Sequence, residues 1–130
     1  MSIEDYRTQP KEQFQAWLRQ LVLIEPDEVK SVCIVCDGDN KGGVESFLSE
    51  FATKKHNKYW YRNVEFSVFE VSNIKSFAGM KFQRVILFNH PNISYNTFSK
   101  LKLRLRGHEV GDALFADLDV SDRLFGFWQY

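Results

Sequence analysis

Apolar positions along the chain change their period several times, and each change marks an element. Between Pro10 and Ile24, Phe14, Trp17, Leu18, Leu21 and Val22 fall at i, i+3, i+4, i+7 and i+8. That spacing predicts an amphipathic helix with Pro10 in its first turn and Thr8 or Gln9 as its cap. Pro26 closes the helix, and Pro26-Asp27-Glu28 turns the chain toward Ser31 to Cys36. This next run is apolar without alternation, the pattern of a strand covered on both faces. The glycine-rich turn Asp37-Gly38-Asp39-Asn40-Lys41-Gly42-Gly43 follows, and then a helix is predicted from about Val44 to Lys55 on the stripe Val44, Phe47, Leu48 and Phe51.

Further along, a polar and aromatic segment from His56 to Asn63 leads to a strand over Val64 to Val71, where Phe66, Val68 and Glu70 are expected on one face and Glu65, Ser67, Phe69 and Val71 on the other. A third strand is read at Arg84 to Phe88, ended by Asn89-His90-Pro91-Asn92. Positions 97–106 carry two patterns. Lys100-Leu101-Lys102-Leu103-Arg104-Leu105-Arg106 alternates as a strand does, while Phe98, Leu101 and Leu105 make a helical stripe before Gly107. The helix is preferred, because a parallel sheet needs a crossover before the apolar stretch Ala113 to Leu118. The end of the chain, Asp122 to Tyr130, is too aromatic for a free tail and is expected to pack on a sheet edge or to form an interface.

Strand, glycine-rich turn and helix in this order open a βαβ unit, so the expected architecture is a single Rossmann-like α/β domain spanning residues 1–130. Its sheet is expected to be mostly parallel, of about four or five strands, with helices on both faces. A length of 130 residues suits one domain, and 44% hydrophobic and 15% aromatic residues, 12 of them Phe, exclude a disordered chain. Seventeen Lys and Arg balance seventeen Asp and Glu, which excludes a generic polyanion binder held by bulk charge. No apolar run is long enough for a membrane span, and the acidic start of the chain lacks the pattern of an export signal. Cys33 and Cys36 have C-x-x-C spacing but lie within a strand, where residues three apart face opposite ways; buried structural thiols and a cytoplasmic location are expected.

Chemistry-bearing residues gather at the ends of the buried-type strands. Asp37 and Asp39 are two carboxylates at i and i+2 after a strand, a spacing that can hold Mg²⁺, and Gly38, Asn40, Gly42, Gly43 and Asn89 line the same expected crevice as ligand-binding candidates. The competing reading is an acidic bend whose side chains cap the next helix. His90 sits at a strand end near Asn89 and Asp37, as a catalytic candidate or as a polar strand terminator. Two basic clusters are candidates for nucleic acid: Lys54, Lys55 and Lys58 with Tyr59 and Trp60, and Lys100, Lys102, Arg104 and Arg106. Cations with interleaved aromatics are what single-strand binders combine, and each cluster can equally be a solvated face.

The turn Val35 to Gly43 resembles the Asp-x-Asp-x-x-Gly signature of Toprim domains and the acidic opening of NYN/PIN-type ribonucleases, with Arg106-Gly107-His108-Glu109-Val110 similar to a late element of the latter. Both resemblances imply magnesium on Asp37 and Asp39. Phe77 to Leu87 resembles a segment of helicases and of terminase-like P-loop ATPases, with Asn89 and His90 where those carry an acidic pair. The ordered Gly-Lys-Ser/Thr of a phosphate loop is absent from Gly38 to Val44.

Since each catalytic motif is incomplete, the expectation is a non-catalytic binding or accessory protein on a degenerate nucleotide-binding-type scaffold. It would be directed at nucleic acid or at a protein that processes it, of phage or mobile-element type, with self-association through the aromatic C-terminus. The alternative is a metal-dependent nuclease using Asp37 and Asp39.

Overall fold

A computed structural model describes residues 10–23, 26–72, 82–89, 91–104, 115–119 and 124–128. In chain order the elements are α1 (Pro10–Leu23), β1 (Lys30–Cys36), a 3₁₀ turn (Gly38–Asn40), α2 (Lys41–Ser49), β2 (Thr53–Lys55), β3 (Lys58–Tyr61), β4 (Val64–Glu70), β5 (Arg84–Phe88), α3 (Tyr95–Arg104), β6 (Phe115–Asp119) and β7 (Leu124–Trp128). The strands form one sheet in the order β2-β3-β4-β1-β5-β6-β7. β1 lies parallel to both β4 and β5, and β5 lies parallel to β6. The pairs β2·β3, β3·β4 and β6·β7 are antiparallel.

This arrangement corrects the expected Rossmann-like, mostly parallel sheet of about four or five strands. The sheet is mixed, seven strands wide, and antiparallel at both margins. The reason lies in the connections. His56-Asn57 and Arg62-Asn63 each join two strands across two residues, far too few for the crossover that a parallel pair requires, so β2, β3 and β4 can only reverse direction. His56 and Asn57 both take left-handed φ, 54° and 64°, as a primed hairpin turn demands. The helix expected to run to Lys55 ends instead at Ser49, and its last expected turn is β2.

Alternation divides the core into two layers. On one face, Val32, Ile34 and Cys36 of β1, Phe66 of β4 and Ile86 and Phe88 of β5 meet Phe14, Leu18 and Leu21 of α1 and Val44, Phe47 and Leu48 of α2. Phe14 is the hub, with Phe47 at 5.2 Å and Trp17, Phe51 and Phe66 within 6.1 Å between ring centroids. On the opposite face Cys33, Val35, Phe82 and Val85 pack with Leu101 of α3, flanked by Phe98 and Ile93. Over 95–104 the chain is helix, and the C-terminal aromatic stretch is the edge strand β7.

Among the described residues, the layer under α3 stops short of the β2 margin. Pairing register places Lys55, Lys58, Ser67, Cys33 and Val85 in one cross-strand row, and Thr53, Trp60, Glu65 and Ser31 in the next. Toward β5 the first row is apolar and buried at Cys33 and Val85, whereas toward β2 it turns polar, and the second row is polar at Ser31 and Glu65. Ser31 Oγ donates to Glu65 Oε1 at 2.8 Å, and Lys58 Nζ pairs with the same oxygen at 3.2 Å. Gln83 closes this polar strip, its Oε1 accepting the Ser31 N–H and its own N–H bonding the Ser31 carbonyl at 2.9 Å.

Candidate functional site

Two regions collect the residues singled out above. The first is the C-terminal end of the parallel strands. β1 ends at Cys36, and Asp37 then takes extended backbone before the 3₁₀ turn that carries Gly38, Asp39 and Asn40. Asp37 is committed locally: its Oδ1 accepts the backbone N–H of Asn92 at 3.3 Å, and its carbonyl accepts the Asn40 N–H at 2.9 Å. Neither Asp37 nor Asn40 caps a helix through its side chain, so the capping alternative is not how this turn is held.

Gly42 and Gly43 belong to the first turn of α2 rather than to a phosphate loop, and a Cβ at Gly42 would meet nothing within 4 Å. Asn89 follows β5 with φ 55°, its N–H bonded to the Leu118 carbonyl at 2.8 Å. His90 lies outside the described residues.

Glu70, which the sequence reading did not select as a site residue, joins this end of the sheet. It ends β4 opposite Cys36, and its carboxylate lies within 3.9 Å of where a Cβ on Gly38 would stand. The signal for it is the pairing register, which no spacing along the chain contains. Burial, followed by the negative charges of Glu70 and Asp37, pushes the Cys36 thiol up to about 11. Cys33, wholly enclosed on the other face of β1, is raised further still, chiefly by loss of water. Both thiols are free. Even with Glu70, no group of three His, Cys, Asp or Glu side chains among the described residues has the proximity to hold a metal ion.

The second region is the β2–β3 margin. Alternation separates the basic aromatic cluster into two sets. Tyr59 turns into the α1/α2 layer, only 5% exposed, with Lys54 Nζ lying 5.9 Å from its ring centroid. Tyr59 therefore presents no stacking surface. Lys55, Lys58 and Trp60 occupy the other face, where Lys55 is exposed and Lys58 and Trp60 are half-buried. Of the second cluster, Lys100 is an exposed residue of α3, Lys102 and Arg104 are positions of the same helix, and Arg106 lies outside the described residues. Since 95–104 is helical, the one-sided alignment that a strand would give these cations does not arise.

No helix among the described residues is long and apolar enough to cross a membrane. Compared with known protein families, curated proteins and solved structures, the chain matches none.

Proposed function

We propose that this chain is a non-catalytic nucleic-acid-binding accessory protein of the reducing cytoplasm, holding single-stranded DNA or RNA on the β2–β3–β4 face. The observation that supports this reading is the placement of Lys55, Lys58 and Trp60 together on that face. Lys55 stands directly across the hairpin from Lys58, a like-charge pairing that costs stability. Glu65 offsets only the Lys58 charge. A phosphate backbone would neutralise the second cation, and the half-buried indole of Trp60 supplies a ring on which a base can stack.

The nuclease alternative needs Mg²⁺ on Asp37 and Asp39, and the described residues offer it no third ligand. Self-association through the aromatic C-terminus would pair the edge strands β7 of two copies.

The test is fluorescence anisotropy with labelled dT12 and rU12 over a salt series. Binding is expected to weaken linearly in log–log form, with a slope of about −0.7 for each phosphate contacted. Trp60→Ala removes a stacking platform whose loss corresponds to roughly 5- to 150-fold in affinity. Lys55→Glu, at an exposed position, weakens binding without disturbing the fold. Absent binding at low salt, or an affinity indifferent to salt, refutes the proposal.

A further inference from the structure

Around the end of β3, on the opposite side of the sheet from Trp60, lies a pocket of about 230 Å³ lined by Arg19, Val22 and Leu23 of α1, Tyr61 of β3 and Arg62 of the following turn. Its chemistry is unusual for a seam between a helix and a sheet. Neither guanidinium has a carboxylate partner among the described residues, and Arg62 rests over the Tyr61 ring at 6.0 Å. Leu23 is 74% exposed although it adjoins this pocket. Arg62 also holds left-handed backbone, φ 53°, in a two-residue turn where Gly or Asn would sit without strain. The fold itself does not call for arginine there, and a residue kept against its local preference points to a role outside the fold.

The size of the pocket constrains its occupant. Pockets that enclose a whole small ligand run from about 300 to 1,000 Å³, so this one takes a single unit of a longer molecule. Two planar cations suit a phosphate, and the aliphatic wall of Val22 and Leu23 with the Tyr61 ring suits a flat apolar body.

We infer that this pocket is a one-nucleotide subsite, in which Arg19 and Arg62 hold a phosphate and Val22, Leu23 and Tyr61 contact the attached nucleoside, so that a bound strand passes from Trp60 around the β3–β4 turn. The inference rests on the nucleic-acid reading above.

The experiment measures dT12 and rU12 affinity for the native chain and for Arg19→Gln, Arg62→Gln, Arg62→Gly and Trp60→Ala at several salt concentrations. Each arginine variant is expected to make the log–log salt slope shallower by about 0.7, the share of one phosphate contact on a single strand. Arg62→Gly separates binding from folding, because glycine relieves the left-handed strain: the subsite predicts weaker binding with an undiminished melting temperature, whereas a purely structural arginine leaves the affinity unchanged. If Trp60→Ala weakens binding while all three arginine variants match the native slope, the subsite is overturned and the sheet-face reading stands. If the native chain binds neither oligonucleotide, both fall together.

Discussion

Asn63 provides a sharp test of how the α1–β1 connection is held. Its Nδ2 faces three carbonyl oxygens, those of Val22 at 3.4 Å, Pro26 at 3.1 Å and Glu28 at 3.0 Å, and its backbone carbonyl accepts the Lys30 N–H at 2.9 Å. One side chain thus ties the end of α1 and the loop after it to the β3–β4 turn. Asn63→Asp replaces two N–H donors with a carboxylate aimed at those carbonyls. Two lost bonds at about 0.5–1.5 kcal/mol each give roughly 1–3 kcal/mol, reduced by the exposure of the Pro26 and Glu28 carbonyls. A negative charge beside the C-terminus of α1 adds about 0.3–1 kcal/mol, for a total of roughly 1–3 kcal/mol.

Urea unfolding at pH 7 reads the loss as a lower midpoint with an unchanged m value. The pH dependence has a definite sign. The folded environment disfavours the charged form, so the introduced carboxyl titrates above its unfolded value of about 3.9. The charge-dependent part of the deficit is therefore absent below that pH and grows as pH rises through the folded value. Asn63→Ala, which loses the donors without adding charge, should be less harmful and insensitive to pH. An Asn63→Asp variant within about 0.5 kcal/mol of the native protein, the range of ordinary surface substitutions, refutes the staple.

Four further outcomes follow from the same structure. Cys36 and Cys33 should resist iodoacetamide in the native protein at pH 8, with mass spectrometry showing Cys36 modified first as pH approaches about 11, and stability should decline as pH rises from the ordinary thiol value of 9.0 toward that point; rapid labelling at pH 8 contradicts the burial. Leu101→Ala should cost about 2–5 kcal/mol in urea unfolding, because Leu101 is the fully buried α3 residue in the small cluster with Cys33, Val35, Phe82 and Val85. Replacing His56-Asn57 with Asn-Gly should raise stability by roughly 1 kcal/mol, as both positions have left-handed φ; no rise in melting temperature contradicts the primed turn. Mg²⁺ or Mn²⁺ should leave the melting temperature unchanged, and a rise abolished by Asp37→Asn/Asp39→Asn would restore the metal-dependent alternative.

What could be read in the chain follows from the range of the interactions involved. α1, β1, β4 and β5 each carry their own local pattern, a helical stripe, an unbroken apolar run or alternation, and their observed limits fall within one or two residues of the expected ones. Helix prevailed over alternation at 95–104, where the parallel pair β5·β6 requires a crossover and Phe98 and Leu101 pack against the sheet. The β2–β3–β4 meander carries no local signal, because its turns are His56-Asn57 and Arg62-Asn63 rather than the glycine-bearing pairs that announce a primed turn. Those turns decide the sheet class, since the antiparallel pairs on that side come from them. The division of Tyr59 from Trp60 follows from alternation once the hairpin is known. Glu70 beside Gly38 and the pocket joining Arg19 to Arg62 depend on register and helix docking, which no local pattern encodes.

Zero net charge acquires a spatial meaning from this topology. Asp37 lies four residues beyond Cys33, just past the end of β1, while Lys55 lies in the Cys33 row three strands away. At about 3.3 Å per residue and about 4.8 Å per strand, the two backbones stand roughly 20 Å apart. That is more than two Debye lengths at physiological ionic strength, where the screening length is about 8 Å, so the carboxylates at the strand ends do little to cancel the field of the β2–β3 margin. A polyanion approaching the molecule therefore meets no net attraction at long range, and a cationic strip only at short range. The expected behaviour is binding that is weak and steeply salt-dependent, with the phosphate backbone kept to the β2–β3 side and away from Asp37, Asp39 and Glu70. Asp39→Asn should then leave oligonucleotide affinity nearly unchanged at 150 mM salt and strengthen it at 10 mM, where the screening length reaches about 30 Å; equal effects at both concentrations would mean that the bound strand runs along the acidic end instead.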